Sequence, residues 1–227
     1  MKQHFFTFII SLLLLISYPG NNTYAQELPY KRNLSWEHER HSWIASWISP
    51  VHESLNDYGV FLYRNTINLE TVPDKFIVYV SADNRYRLYI NGDYVNAGPA
   101  RGSFMYWRYE TLDISSYLRE GENIISAEVI NFGEHRPVAQ FSHQTAFILQ
   151  SEEFGDIINT GTGNWKVIRD PSYNVRPVTP EMTAGKYYVA GPCDSITAVH
   201  HSWGWQQSGF DTGKWSTPQI IQKGVGR

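Results

Sequence analysis

The 227-residue sequence contains a single cysteine, Cys193. One cysteine cannot form an intramolecular disulfide, so the fold does not depend on a disulfide framework. Cys193 also lies far from the N-terminal region where a lipid-carrying cysteine would be required, and no local motif marks it as a nucleophile. The fold must therefore be stabilised by a hydrophobic core.

Charge is also scarce, since only 18% of the residues are charged and the formal net charge is −3. A weakly negative protein offers no general attraction to nucleic acid phosphates or to anionic lipids. We therefore expect no nucleic-acid partner. After the N-terminal region no apolar run approaches the ~20 residues that span a bilayer, so we also expect no membrane insertion of the mature chain.

Residues 1–25 have the pattern of a secretory signal peptide. Lys2 precedes an apolar run from Phe5 to Ile16, and Thr23-Tyr24-Ala25 forms a small-residue cleavage site before Gln26. The alternative is a membrane anchor, for which the run is short. The sequence predicts a periplasmic or secreted protein in which residues 26–42 form a flexible lead-in.

Aromatic residues are abundant, at 15% of the chain, and the clearest structural pattern lies in the segment 76–114. Apolar residues alternate with other residues over 76–80 and again over 85–91, as expected of half-buried strands. Asn91-Gly92 follows, and this pair tolerates two positive φ angles, so it predicts a two-residue type I′ hairpin.

The remaining pattern predicts an all-β sandwich over residues 43–218, of the galactose-binding-like jelly-roll type, with short helical turns. Trp43 and Trp47 are expected in the core, and Asp113 is expected to cap a helical turn that Gly121 ends. Further strands are predicted over 58–69, 123–131, 146–150, 156–159 and 165–168. Residues 171–192 read as an irregular excursion, and residues 219–227 as a truncated linker.

A series of motifs resembles a known family. They are ADNRYRLYINGDYVNAGPARG at 82–102, Trp107, the stretch YETLDI at 109–114, Tyr117-Leu118 and Gly121-Glu122-Asn123. Together they are similar to the N-terminal β-sandwich domain of bacterial α-L-rhamnosidases of glycoside hydrolase family 78. The resemblance extends from about Trp43 to Trp215. It implies that the chain of a full-length member continues into an (α/α)6 barrel, whose carboxylates hydrolyse terminal α-L-rhamnose with inversion.

The sequence holds no pattern for such a barrel. Twelve helices of ~11 residues would require well over 130 helical residues, and the sequence predicts one helical turn. An inverting glycosidase also needs two carboxylates about 6.5–9.5 Å apart in a deep pocket. We therefore assign no catalytic residue and no cofactor, and expect these 227 residues alone to be inactive.

Three functions remain open. The first is a non-catalytic, carbohydrate-binding-like module that works with a catalytic domain in cis or in trans on a rhamnose-containing glycan. The second is a free-standing, lectin-like sugar-binding protein. The third is a degenerate fragment with no function of its own, for which instability and an exposed apolar patch are expected.

Six polar or aromatic residues around the predicted hairpin are the candidate sugar contacts, since their groups can hydrogen-bond hydroxyls or stack on a ring. They are Asp83, Asn84, Arg85, Asn91, Arg101 and Trp107. The structural alternative is that Asp83 and Asn84 brace a turn, that Arg85 or Arg101 pairs with Asp83 or Glu110, and that Trp107 fills the sandwich. A third alternative is a surface that docks another domain or lines a substrate entrance.

No metal site is predicted. His200-His201 with Asp194, and His135 with His143, lack a third ligand at a recognised spacing. Glu152, Glu153 and Asp156 could supply calcium ligands, but such acidic turns are usually only solvated.

Overall fold

The computed structural model describes residues 43–185 and 188–224. The predicted signal peptide and the lead-in at 26–42 lie outside these residues. The strands of the described part are β1 (Ser46–Ser49), β2 (Gly59–Leu69), β3 (Ile77–Asp83), β4 (Arg85–Ile90), β5 (Asp93–Gly98), β6 (Glu110–Asp113), β7 (Gly121–Asn131), β8 (Ala146–Gln150), β9 (Lys166–Arg169), β10 (Tyr173–Arg176), β11 (Cys193–Ile196) and β12 (Gln219–Lys223). The described residues also contain one short α-helix, α1 (Gly155–Ile158), and four single-turn 3₁₀ helices at Ser115–Tyr117, Gly133–His135, Pro180–Met182 and Ala198–His200. No helix in the described ranges is long and apolar enough to cross a bilayer.

Two antiparallel five-stranded sheets form the sandwich, which confirms the predicted all-β fold class. The first sheet has the order β12-β1-β8-β3-β6, and the second has the order β5-β4-β7-β2-β9. The core lies between them and is built from alternate residues of the central strands, such as Val78 and Val80 of β3 and Ala127 and Val129 of β7. This follows from the period of two, which directs every second side chain to the same face.

The chain passes from the first sheet to the second at a tight corner between β3 and β4. Asp83 is the last residue of β3, Arg85 is the first of β4, and the Asp83–Asn84 peptide bond is cis. The amide of Asn84 donates to the carbonyl of Ile130 in β7, 3.1 Å away. The corner therefore brings the C-terminal end of β3 beside the C-terminal end of β7.

The predicted hairpin is confirmed. Asn91 and Gly92 have φ angles of 52° and 92°, and Ile90 pairs with Asp93 directly before and after them. The carboxamide of Asn91 also donates to the carbonyl of Tyr117 at 3.0 Å and accepts from the amide of Ile124 at 2.9 Å. Local turn chemistry and contacts to β7 thus favour the same conformation.

Replacing Gly92 with alanine should destabilise the protein by about 1–2 kcal/mol, because its φ of 92° is unfavourable for a residue with a Cβ. An added Cβ would also meet the side chain of Gln207. Gly209→Ala is the matched control, since Gly209 has φ +75° and open space around it. Urea unfolding measures both; if Gly209→Ala proved equally or more costly, the contact with Gln207 would contribute nothing.

The structure corrects several predictions. Residues 156–159 do not form a strand, because Gly155–Ile158 is helical and the amide of Asn159 closes the turn on the carbonyl of Gly155 at 2.9 Å. The supposed linker begins as β12, which pairs with β1. The irregular excursion contains β10, which pairs with β11.

Two smaller corrections concern side chains. Trp43 and Trp47 are half-buried rather than core residues, because Ile48 is the β1 residue that faces the core. The helical turn after Asp113 exists, and the Asp113 carboxylate accepts the amide of Ser115 at 3.1 Å. That turn ends at Leu118, and Gly121 instead begins β7.

Residues 201–216, here called the strap, cross the outer face of the second sheet. Trp205 and Trp215 of the strap are buried against Val60 and Leu62 of β2, forming a second apolar cluster. The guanidinium of Arg64, also in β2, donates to the carbonyl of Trp205 at 2.7 Å. The strap therefore covers the outer face of the second sheet over β2.

Candidate functional site

A cleft of about 1020 Å³ lies at the end of the sandwich where β3 and β7 stop. The loop 133–142 forms one wall, and the segment 56–58 together with Phe104 forms the rest. The lining residues are Asn56, Asp57, Tyr58, Phe104, Glu134, His135, Arg136, Pro137, Val138, Ala139, Gln140, Phe141 and Ser142. The cleft thus combines aromatic and aliphatic surface with hydrogen-bonding groups.

Asp83 and Asn84 hold the two ends of this loop. The carboxamide oxygen of Asn84 accepts the amide of Phe132 at 2.9 Å, just before the loop. The carboxylate of Asp83 accepts the amides of His143 and Gln144 at 2.6 and 3.1 Å, just after it. Both side chains are buried, with exposures of 3% and 0%. They position the cleft wall and do not themselves face the solvent.

Burial dominates the electrostatics of Asp83. Removal from water disfavours its charged form and raises the pKa of the carboxyl above its usual value. Hydrogen bonds from Ser142, His143, Asn84 and Gln144 oppose this shift. The hydrogen-bonding capacity of the Asp83 carboxyl is therefore used by the loop.

Phe104 and Phe141 form the aromatic wall of the cleft, and the ring of His143 contacts that of Phe104. The Phe104 ring lies 5.0 Å from that of Phe141 in an edge-to-face arrangement and 4.3 Å from that of His143. Phe104 and Phe141 remain 38% and 41% exposed. The wall is thus accessible apolar surface held in place by ring contacts.

Arg101 joins the cleft wall to the loop after β10. Its guanidinium donates to the carbonyl of Val138 at 3.3 Å and to that of Val189 at 3.4 Å. Of the six predicted contacts, Arg101 is the one with an exposed side chain at the border of the cleft. The Asp83 carboxylate, one of its expected ion-pair partners, instead accepts the amides of His143 and Gln144.

Trp107 packs outside the sandwich core. Its ring meets Trp47 at 6.4 Å in a T-shaped contact and lies 6.0 Å from His143. Its indole N–H is enclosed and has no acceptor among the described residues. The expectation that Trp107 fills the sandwich is therefore wrong, although the ring does support His143 at the edge of the aromatic wall.

The remaining two predicted contacts lie elsewhere. Arg85 begins β4 and pairs with Ile130 in β7. Asn91 braces the hairpin at the opposite end of β4. The structure therefore brings Asp83, Asn84, Arg101 and Trp107 to the surroundings of the cleft and leaves Arg85 and Asn91 apart.

None of the residues that line the cleft is among the six predicted contacts. Phe104 and Phe141 are 37 positions apart, and neither belongs to a periodic pattern. The available signal was the cluster FMYW at 104–107, in which four consecutive large side chains shortly after Gly102 indicate exposed apolar surface.

The candidate metal ligands are not assembled. The described residues contain no group of three or more His, Cys, Asp or Glu side chains that could hold a metal ion. Asp194 accepts the hydroxyl of Tyr58 at 2.6 Å, whereas His201 contacts Asp170 at 2.7 Å. Burial and the Asp194 carboxylate raise the pKa of the Tyr58 hydroxyl.

Comparison with known proteins gives a consistent result. A family described as the alpha-L-rhamnosidase N-terminal domain matches residues 72–226. No curated protein matches the sequence.

Three solved structures share the fold. A GH78 family rhamnosidase of Bacillus sp. GL1 has a TM-score of 0.67 and 23% identity, covering 81% of this chain and 19% of that chain. An α-L-rhamnosidase from Aspergillus terreus has a TM-score of 0.60 and 16% identity, covering 80% and 21%. One from Dictyoglumus thermophilum has a TM-score of 0.53 and 19% identity, again covering 80% and 21%. The chain thus spans about a fifth of the length of each.

Proposed function

This chain belongs to the alpha-L-rhamnosidase N-terminal domain family, and we propose that it is a non-catalytic, carbohydrate-binding module of an exported α-L-rhamnosidase-type protein. Its cleft would bind a rhamnose-bearing glycan and so assist a catalytic domain that acts in cis or in trans.

The observation that carries this proposal is the mixed chemistry of the cleft. Phe104 and Phe141 offer accessible ring surface, while Asn56, Asp57 and Gln140 offer hydrogen-bonding groups across the same space. A pyranose has an apolar face and a polar rim, and a 6-deoxy sugar such as rhamnose adds a methyl group. Pockets that bind such ligands combine apolar walls with a few polar groups.

The environment of the acidic residues supports a non-catalytic role. Glycosidases need a carboxyl group whose pKa is tuned in a water-excluded site near a second carboxylate. Glu134, with a side chain that is 88% exposed, and Asp57 are both open to water, and the Asp83 carboxyl is enclosed by its loop contacts. Neither arrangement is suited to general acid catalysis.

We expect the protein to bind a soluble polysaccharide with terminal α-L-rhamnose and to leave an aryl α-L-rhamnoside uncleaved. Removing both rings in Phe104→Ala/Phe141→Ala should weaken binding at the cleft by about tenfold, because the apolar wall is lost. Affinity electrophoresis measures binding, and release of the aryl group measures hydrolysis.

The same polysaccharide, after enzymatic removal of its rhamnose, is the ligand control for the cleft, because the wild type and the double variant should bind it equally. Met182→Ala is the protein control, since Met182 is 71% exposed and does not line the cleft. Turnover above that of a heat-inactivated sample would contradict the non-catalytic role. Equal binding by wild type and the double variant would contradict the assignment to the cleft.

A further inference from the structure

A second surface, separate from the lining of the cleft, centres on Trp203 at the start of the strap. Its side chain is 69% exposed, and the nearby Val199 and Ile196 are 82% and 53% exposed. An indole with this exposure contributes little to the buried core. Packing in the hydrophobic core therefore does not explain the position of the indole.

The indole is nevertheless held in one orientation. Its Nε1–H donates to the carbonyl of Ala198 at 2.9 Å, and the backbone amide of Trp203 donates to the carbonyl of His201 at 2.9 Å. The ring also packs edge-to-face on His201, with centroids 4.6 Å apart. Because the N–H is already bonded, the ring face is what Trp203 offers to a ligand.

His201 is fixed in turn by a buried carboxylate. Its Nδ1 lies 2.7 Å from Oδ2 of Asp170, whose side chain is 0% exposed, and 3.3 Å from Oγ of Ser172. An ionised carboxylate only accepts hydrogen bonds, so Nδ1 carries the proton, and in the neutral imidazole Nε2 is then an acceptor. Nε2 has no partner among the described residues, and the imidazole retains 13% of its exposure. Since Asp170 and Ser172 approach the same nitrogen, the three groups do not form a catalytic triad.

We infer that Trp203 and His201 form a second carbohydrate-binding site, in which a pyranose ring stacks on the indole and one of its hydroxyls donates to Nε2 of His201. Asp170 is a positioning residue that orients the imidazole. Preorganisation of both rings reduces the entropy lost on binding.

The size of the surface favours a sugar over a protein partner. A stable protein interface requires ~800 Å² on each side and 20–30 residues. The segment 196–203 has only three exposed large apolar side chains, which are Ile196, Val199 and Trp203. One sugar ring, by contrast, needs only one indole face.

The inference rests on the proposed function for its class of ligand but not for its location. Stacking on an indole depends on the apolar face of the ring more than on the identity of the sugar. We therefore expect this site to bind the polysaccharide both with and without its terminal rhamnose, whereas the cleft requires rhamnose.

The test uses four proteins: wild type, Trp203→Ala, the cleft variant Phe104→Ala/Phe141→Ala, and Tyr94→Ala. Tyr94 is the matched control because it is also an exposed aromatic residue, at 56%, but lies on the hairpin strand β5. Trp203→Ala should weaken binding to the rhamnose-free polysaccharide by about fivefold to tenfold, and Tyr94→Ala should leave it unchanged. His201→Gln should weaken the same binding without abolishing it, since the indole remains.

Each result separates the two sites. Binding by Trp203→Ala at the wild-type level to both polysaccharides overturns the second site and leaves the cleft proposal standing. Wild-type binding of the rhamnose-bearing polysaccharide by the cleft variant, together with a loss in Trp203→Ala, overturns the cleft and supports the second site. No binding by the wild type to either polysaccharide overturns both. A wild-type dimer that becomes a monomer in Trp203→Ala, as measured by sedimentation, would assign the surface to self-association and overturn the inference.

Discussion

Replacing Asp83 with alanine should lower the free energy of unfolding by about 3 kcal/mol or more and should abolish binding at the cleft. The change removes the shared acceptor of four donors, namely the part-buried amides of His143 and Gln144, the carboxamide of Asn84 and the side chain of Ser142. Each unsatisfied donor costs about 1–3 kcal/mol, and relaxation of the loop recovers part of this. Urea unfolding at neutral pH measures the stability, and affinity electrophoresis measures binding at a urea concentration of zero.

Asp57→Ala is the control, because it removes a carboxylate from the same cleft without removing an anchor of the loop. Asp57 lines the same cleft but is exposed, so its removal should change stability by no more than about 0.5 kcal/mol. Asp83→Asn retains one acceptor oxygen and should be intermediate between wild type and Asp83→Ala. If Asp83→Ala unfolded like wild type, its carboxylate would not be what anchors the loop.

Replacing Trp205 with alanine should destabilise the protein by about 3–5 kcal/mol, as is typical for removing a fully buried tryptophan. Trp205 is 1% exposed, and its ring contacts those of Tyr89 and Trp215 at 5.8 and 6.4 Å. Without the indole, the outer face of the second sheet loses the centre of its apolar cover. Urea unfolding followed by circular dichroism measures the change.

Trp203→Ala is the control for this prediction, because it removes the same side chain two positions earlier in the strap. Since Trp203 is 69% exposed, its loss should change stability by about 0.5 kcal/mol or less. Equal destabilisation by the two variants would mean that Trp205 is not the anchor of the strap. It would also show that Trp203 contributes to folding, and so would weaken its assignment to a binding site.

The parts of the fold that were predictable from sequence are those specified by local pattern. The alternation over 76–80 and 85–91 identified β3 and β4, and Asn91-Gly92 identified the turn before β5 because few residue pairs accept two positive φ angles. The strand predicted over residues 156–159 was wrong because a short apolar pair such as Ile157-Ile158 fits a helical turn as well as a strand. The edge strand β12 was missed because its sequence, QIIQK, lacks the apolar face of a core strand and its partner lies far away in the chain.

The candidate site was predictable in part. Asp83 and Asn84 were identified as important polar residues, but whether they face a ligand or brace a loop depends on the corner between β3 and β4. That corner places them beside residues 132 and 143–144, about 50–60 positions later. The aromatic wall could not be found because ring contacts between Phe104, Phe141 and His143 are made by loops whose path no periodicity specifies.

The pairing of β1 with β12 determines how the sandwich responds to mechanical load. Ser46 lies opposite Lys223, and the amide of Gly224 donates to the carbonyl of Ala45, so the first and last strands of the described chain meet at the same end. Tension applied across these two strands would open their hydrogen bonds one after another, as in a zipper, rather than shear them all at once. The first sheet would thus release an edge strand at low force while β8, β3 and β6, and the second sheet, remain paired. A pull transmitted through flanking segments would reach the cleft, at the far end of β3, only after this ladder had opened.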